Sequence, residues 1–104
     1  MSSIKTAIAG FSALLCVTSL PAICFGYTGE ELAGNAKVTI VQARVLALKA
    51  HPGTITDEEL EKEKGGSGLR YSFDIKSGGR TYEVGVDAQS GKVLENAKEG
   101  RHPD

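Results

Sequence analysis

The stretch Leu69-Arg70-Tyr71-Ser72-Phe73-Asp74-Ile75-Lys76 decides the fold. Apolar Leu69, Tyr71, Phe73 and Ile75 alternate with polar Arg70, Ser72, Asp74 and Lys76, a period of two that puts the two sets on opposite faces of a strand. Ser77-Gly78-Gly79 then supplies the positive φ angles of a tight hairpin. Tyr82, Val84 and Val86 carry the apolar face onto a second strand, against Thr81, Glu83 and Asp87. Asp87-Ala88-Gln89-Ser90-Gly91-Lys92 reads as another turn, in which Asp87 accepts backbone N–H bonds two residues on and Gly91 takes the left-handed region. A last strand follows over residues 92–97, with Val93 opposite Val86 in the core and Asp87 facing Lys92 as a cross-strand ion pair.

Upstream the period changes. Thr39 followed three residues later by Gln42 is a capping box, so a helix starts at Ile40 and runs through Ile40-Val41-Gln42-Ala43-Arg44-Val45-Leu46-Ala47-Leu48-Lys49-Ala50 to a stop at His51-Pro52-Gly53. On a helical wheel Ile40, Ala43, Leu46, Ala47 and Ala50 form the face that packs on the sheet, and the alanines permit close approach. Val41, Val45 and Leu48 make a second apolar strip beside it, either a ridge for a partner or a strip that a curled sheet covers. Residues 53–68 carry conflicting signals. Thr56-Asp57-Glu58-Glu59-Leu60-Glu61-Lys62-Glu63-Lys64 has helix formers and its own capping box, yet its apolar residues are only Ile55 and Leu60. A helix without an apolar stripe has little to hold it to a core, whereas a charged edge strand is a common guard against aggregation. Residues 27–37, with Gly29, Gly34 and Asn35 and no sustained period, read as a flexible leader.

The chain has 104 residues, with 12 Lys and Arg against 13 Asp and Glu, and every acid lies at or after Glu30. That near balance argues against nucleic acid as a partner. Before Glu30 the sole base is Lys5, and residues 6–25 are apolar apart from scattered Ser and Thr, as in a secretory signal. Pro21 ends the apolar core, and Cys24-Phe25-Gly26 offers small residues for a peptidase that cuts before Tyr27; a cut before Phe25 is the alternative. Residues 1–26 are thus expected to be a signal peptide, and the mature chain to work outside the cytoplasm with no membrane attachment. Cys16 and Cys24 leave with the signal, so the rest forms no disulfide and no thiolate metal site.

Residues 1–26, 27–37, 38–98 and 99–104 therefore read as signal, leader, domain and flexible tail. Within the domain no catalytic constellation stands out. Glu58, Glu59, Glu61 and Glu63 are interspersed with Lys62 and Lys64 and lack a glycine-centred calcium loop, so they read as a solvated edge. His51 and His102 occupy unrelated positions. Ser67 and Ser90 have no histidine and carboxylate beside them, and Gly65-Gly66-Ser67-Gly68 lacks the Lys and helix start of a phosphate loop.

The helix Thr39–Gly53, the Glu-Leu-Glu-Lys-Glu segment, Tyr71-Ser72-Phe73-Asp74-Ile75 and Tyr82-Glu83-Val84-Gly85-Val86-Asp87-Ala88-Gln89-Ser90-Gly91-Lys92-Val93-Leu94 together resemble a PepSY domain. The resemblance implies an α+β fold with one helix packed on a four-stranded antiparallel β-sheet, and it makes the disputed segment the first strand. PepSY domains occur in propeptides of thermolysin-type metalloproteases and as small exported proteins, and they are associated with restraint of peptidases. One departure is Val41, where family members often carry an acid that favours the helix dipole. The expectation is a non-enzymatic, periplasmic or secreted domain without cofactor, whose partner is a protein, specifically a peptidase. A small-molecule or ion sensor, or a structural envelope component, is the alternative. Two surfaces are the candidates for binding: the charged edge with Glu59, Glu61, Lys62 and Glu63, and the strip of Val41, Val45 and Leu48.

Overall fold

The computed structural model describes residues 26–99. The expected signal peptide, except Gly26, and the tail beyond Glu99 lie outside the described residues. A 3₁₀ helix, Glu30–Asn35, precedes α1, Ile40–Ala50, and then come β1, Thr54–Lys62; β2, Leu69–Ser77; β3, Arg80–Asp87; and β4, Val93–Lys98. The strands pair antiparallel in chain order, so β1 and β4 are the two edges of a four-stranded sheet.

The alternation of β2 sets the two faces. Leu69, Tyr71, Phe73 and Ile75 are buried beneath α1, with Val84 and Val86 beside them. The helix begins with the capping box, Thr39 accepting from the Gln42 N–H and Gln42 accepting from the Thr39 N–H. Ala43 and Ala47 are fully buried, and Ile40, Leu46 and Ala50 pack at the margin. The helix end is tied to β4 by Asn96, whose side-chain amide donates to the Ala50 carbonyl.

The conflict over residues 53–68 is settled in favour of the strand. Ile55 and Leu60 are five residues apart, which on a regular strand puts them on opposite faces and on a helix about 140° apart. A bulge at Thr56 shifts the register, so that Ile55 faces Ile75, Leu60 faces Tyr71, and both reach the core side.

Four expectations change. Residues 27–37, read as a flexible leader, hold a 3₁₀ helix and pack on the domain: Tyr27, Leu32, Ala33 and Ala36 contact the core, and Lys37 and Val38 donate to the Ala88 carbonyl. Their apolar residues are too few for a periodic signal but suffice to cover one side of Leu60 and Tyr71. Ser72 and Arg70, placed in solvent by alternation, are 7% and 9% exposed. Long neighbours on the open face fold over them: Ser72 donates to Glu61, and Arg70 crosses the bare backbone of Gly85 to reach Glu95 and the Lys64 carbonyl. Asp87 and Lys92 do face each other, the Asp87 N–H donating to the Lys92 carbonyl, but their side chains form no ion pair. The buried Asp87 carboxylate accepts from the N–H groups of Ser67, Gln89 and Ser90 and from the Ser67 and Ser90 hydroxyls, which ties the β1–β2 loop to the β3–β4 turn. Val93 does sit opposite Val86, but at 38% exposed it lies outside the core expected for it, at the edge strand β4; Gly91 has φ +80°.

Candidate edge and helix binding surfaces

The outer edge of β1 is the most distinctive surface. The Leu60 N–H points away from β2 and donates to the Thr28 carbonyl at 2.8 Å, and Thr28 forms a parallel bridge with Glu59. The chain's own amino-terminal segment thus docks on the edge as a one-residue strand. It leaves at Gly29, where φ is +86° and an added Cβ would lie 1.7 Å from the Leu60 carbonyl oxygen, so only glycine fits. Because backbone groups alternate along a strand, the outward Leu60 N–H means that those of Glu59 and Glu61 point inward to β2.

Side chains along β1 separate by face. Tyr27 lies over Tyr71 on the helix side, with ring centroids 6.5 Å apart. On the same side Glu58 holds Arg44 of α1 through paired bonds of 2.7 and 2.9 Å, which couple the helix to the edge. A recess of about 800 Å³ opens along this edge, lined from both faces by Tyr27, Thr28, Arg44, Ile55, Asp57 and Glu58 among others. The opposite face is acidic. Register places Glu59 in a row with Ser72, Gly85 and Glu95, and Asp57 in a row with Asp74 and Glu83. Burial, then the charges of Glu61, Asp57 and Asp74, pushes the Glu59 carboxyl up from its ordinary range. Asp74 is raised by burial and by Glu99 and Asp57, and Glu83 by burial and by Glu95, Asp74, Glu99 and Glu61.

Of the sequence candidates, Glu59 and Glu61 lie on this acidic face. Lys62 is the exposed last residue of β1, and Glu63 follows it in the loop, exposed, with its N–H bonded to the Gly68 carbonyl. The helix strip divides. Val41 and Val45 are 61% and 59% exposed, whereas Leu48 is half-buried against the core. The two valines border a recess of about 460 Å³ with Val38, Leu46 and Gly91. Tyr27, Thr28, Gly29, Arg44 and Asp57 went unmarked in the sequence; an isolated Tyr-Thr-Gly has no periodic signal, and contacts between distant segments leave none.

Among the described residues no group of three or more His, Cys, Asp or Glu converges as for a metal ion, and His51 stacks on Tyr82 with centroids 3.8 Å apart. Nor is any described helix long and apolar enough to cross a membrane.

The fold agrees with a comparison by family. Residues 37–96, more than half of the chain, match the model of PepSY, the peptidase propeptide and YPEB domain. Neither a curated protein nor a solved structure shows significant similarity. With one helix on a four-stranded meander and a family match running from the helix leader to β4, the chain belongs to the PepSY family.

Proposed function

We propose that this protein is an exported, non-catalytic binding domain that restrains a secreted or envelope peptidase by offering the outer edge of β1 to an extended segment of it. The observation that carries this reading is the seating of Thr28 on Leu60, where extended backbone already docks on the edge. Peptidases bind and present extended chain, so an edge strand suits them as partners. Membership of a family described as peptidase propeptide supports the partner class, and the apolar run of residues 6–25 behind Lys5 supports export. Titrating the chain that starts at Tyr27 into the peptidases of its own envelope extract is expected to lower their activity in a dose-dependent way. A folded protein that leaves every peptidase active at large excess would end the proposal.

A second surface stays in contention because Val41 and Val45 are more than half exposed beside a recess. Val45→Glu is expected to leave inhibition intact. If it abolishes inhibition while Glu59→Lys does not, the contact belongs to the helix. A proline at Glu61 is a poor test, since its N–H faces β2 and the substitution would break the sheet itself.

A further inference from the structure

The seated segment defines a register and, with it, the chemistry of whatever replaces it. Thr28 lies beside Glu59 in parallel, so counting back places Tyr27 beside Glu58 and Gly26 beside Asp57. Residues paired across strands share a face. The positions of Gly26 and Thr28 therefore look onto the acidic side of the sheet, and Tyr27 looks onto the helix side, where it lies over Tyr71. The segment matches only half of this surface. Tyr27 meets the apolar side, but Gly26 and Thr28 bring no charge, and neither Asp57 nor Glu59 has an ion pair among the described residues. By contrast Glu58, on the helix side, is already held by Arg44. The segment's backbone makes a single bridge to the edge before Gly29 turns it away, and the rest of its hold comes from Tyr27 against Tyr71 and from the partly buried Leu32 and Ala33.

We infer that the edge of β1 is built for an extended segment that runs parallel to it with alternating character. An apolar or aromatic residue takes the place of Tyr27, and Lys or Arg takes the places of Gly26 and Thr28 beside Asp57 and Glu59. In a chain cut before Tyr27, Gly26 is gone, and residues 27–29 act as a placeholder without a basic side chain that such a segment displaces. This rests on the edge reading above and adds to it the chemistry of the partner, a basic and apolar extended chain.

The probe is a capped peptide, Val-Lys-Tyr-Lys-Gly, titrated against the chain from Tyr27 and followed by backbone amide shifts, with Val-Glu-Tyr-Glu-Gly as its counterpart. The lysine peptide is expected to move the amides of Asp57, Glu58, Glu59 and Leu60 together with those of Thr28 and Gly29. The glutamate peptide should bind about tenfold more weakly or not at all, and rising salt should erode the difference. Glu59→Gln should weaken the lysine peptide about two- to fivefold, the range of one exposed ion pair. Gly29→Ala, which forces the placeholder off the Leu60 carbonyl, should tighten binding because a tethered competitor is lost. Equal response to both peptides, no response to either, or shifts confined to Val41 and Val45 would overturn the inference on the unaltered protein, whether or not Gly29→Ala folds. Peptide selectivity without inhibition of any peptidase would sink the proposed function alone; inhibition without selectivity would sink the inference alone.

Discussion

Two regions of this domain handle carboxylates in opposite ways. At the β3–β4 turn, Asp87 is 2% exposed and surrounded by donors, and burial that would raise its carboxyl is overcome by the backbone and hydroxyl bonds of Ser67 and Ser90, which hold it far below the usual range. On the open face of the sheet, Glu59, Asp74 and Glu83 have carboxylates for neighbours, and burial with mutual repulsion pushes each of them up. The first arrangement stabilises the charged form and so fastens two loops together. The second holds charge that its neighbours on the sheet repel and do not compensate.

Removing Asp87 is the most forceful way to break the contrast. Asp87→Ala strands the donors of Ser67, Gln89 and Ser90 and should cost about 3 kcal/mol, a large share of the stability of so small a domain. Asp87→Asn should be nearly as damaging, because both carboxylate oxygens accept and an amide would turn an NH₂ toward donors. Urea unfolding measures both. An Asn variant as stable as the parent would mean that shape, and not acceptor capacity, holds the knot.

How far the sequence reveals each region follows from the range of the interactions. β2 was legible because every second residue from Leu69 to Ile75 is apolar, and one face pattern suffices to specify a central strand. The turn at Gly91 and the cap at Thr39 were legible because their signals are contained within a few residues. β1 was ambiguous, since its helix-forming residues contradict its fate and its two apolar residues reach one face only through the bulge at Thr56. Asp87 and Lys92 face each other as the turn implies, but the donors that hold the carboxylate include Ser67, twenty residues away, and nothing local announces that meeting. The seat of Thr28 on the edge was missed for the same reason. The acidic rows were present in the sequence as scattered Asp and Glu, and only the register brings them side by side.

Acid separates the two regions with a smaller effect. Glu59, Asp74 and Glu83 have folded pKa values above their unfolded ones, so the folded chain takes up protons first, and stability should rise as pH falls from 7 toward about 4.5. Asp87 is the reverse. Its contribution is present above the unfolded value of about 3.9 and is lost as pH falls further toward the depressed folded value. Thermal melting should therefore pass through a maximum between about pH 4 and 5 and drop below it. A steady decline from pH 7 downward would show that repulsion across the open face is negligible.

The smallest change sharpens the comparison most, because it runs against the usual effect of altering a half-buried residue. Glu83 sits on β3 opposite Asp74, with Glu95, Glu99 and Glu61 also raising its carboxyl. Replacing it by Gln keeps the shape and removes one member of the repelling set. Like charges opposed across strands cost about 0.2–1 kcal/mol, so Glu83→Gln should stabilise the domain by that order and raise the melting midpoint by a few degrees at pH 7. The gain should vanish near pH 4, where the native Glu83 is itself largely protonated, and shrink in high salt. A variant that is less stable at pH 7 would mean that Glu83 makes a favourable contact that outweighs the repulsion, and the open face would then resemble the Asp87 knot more than its opposite.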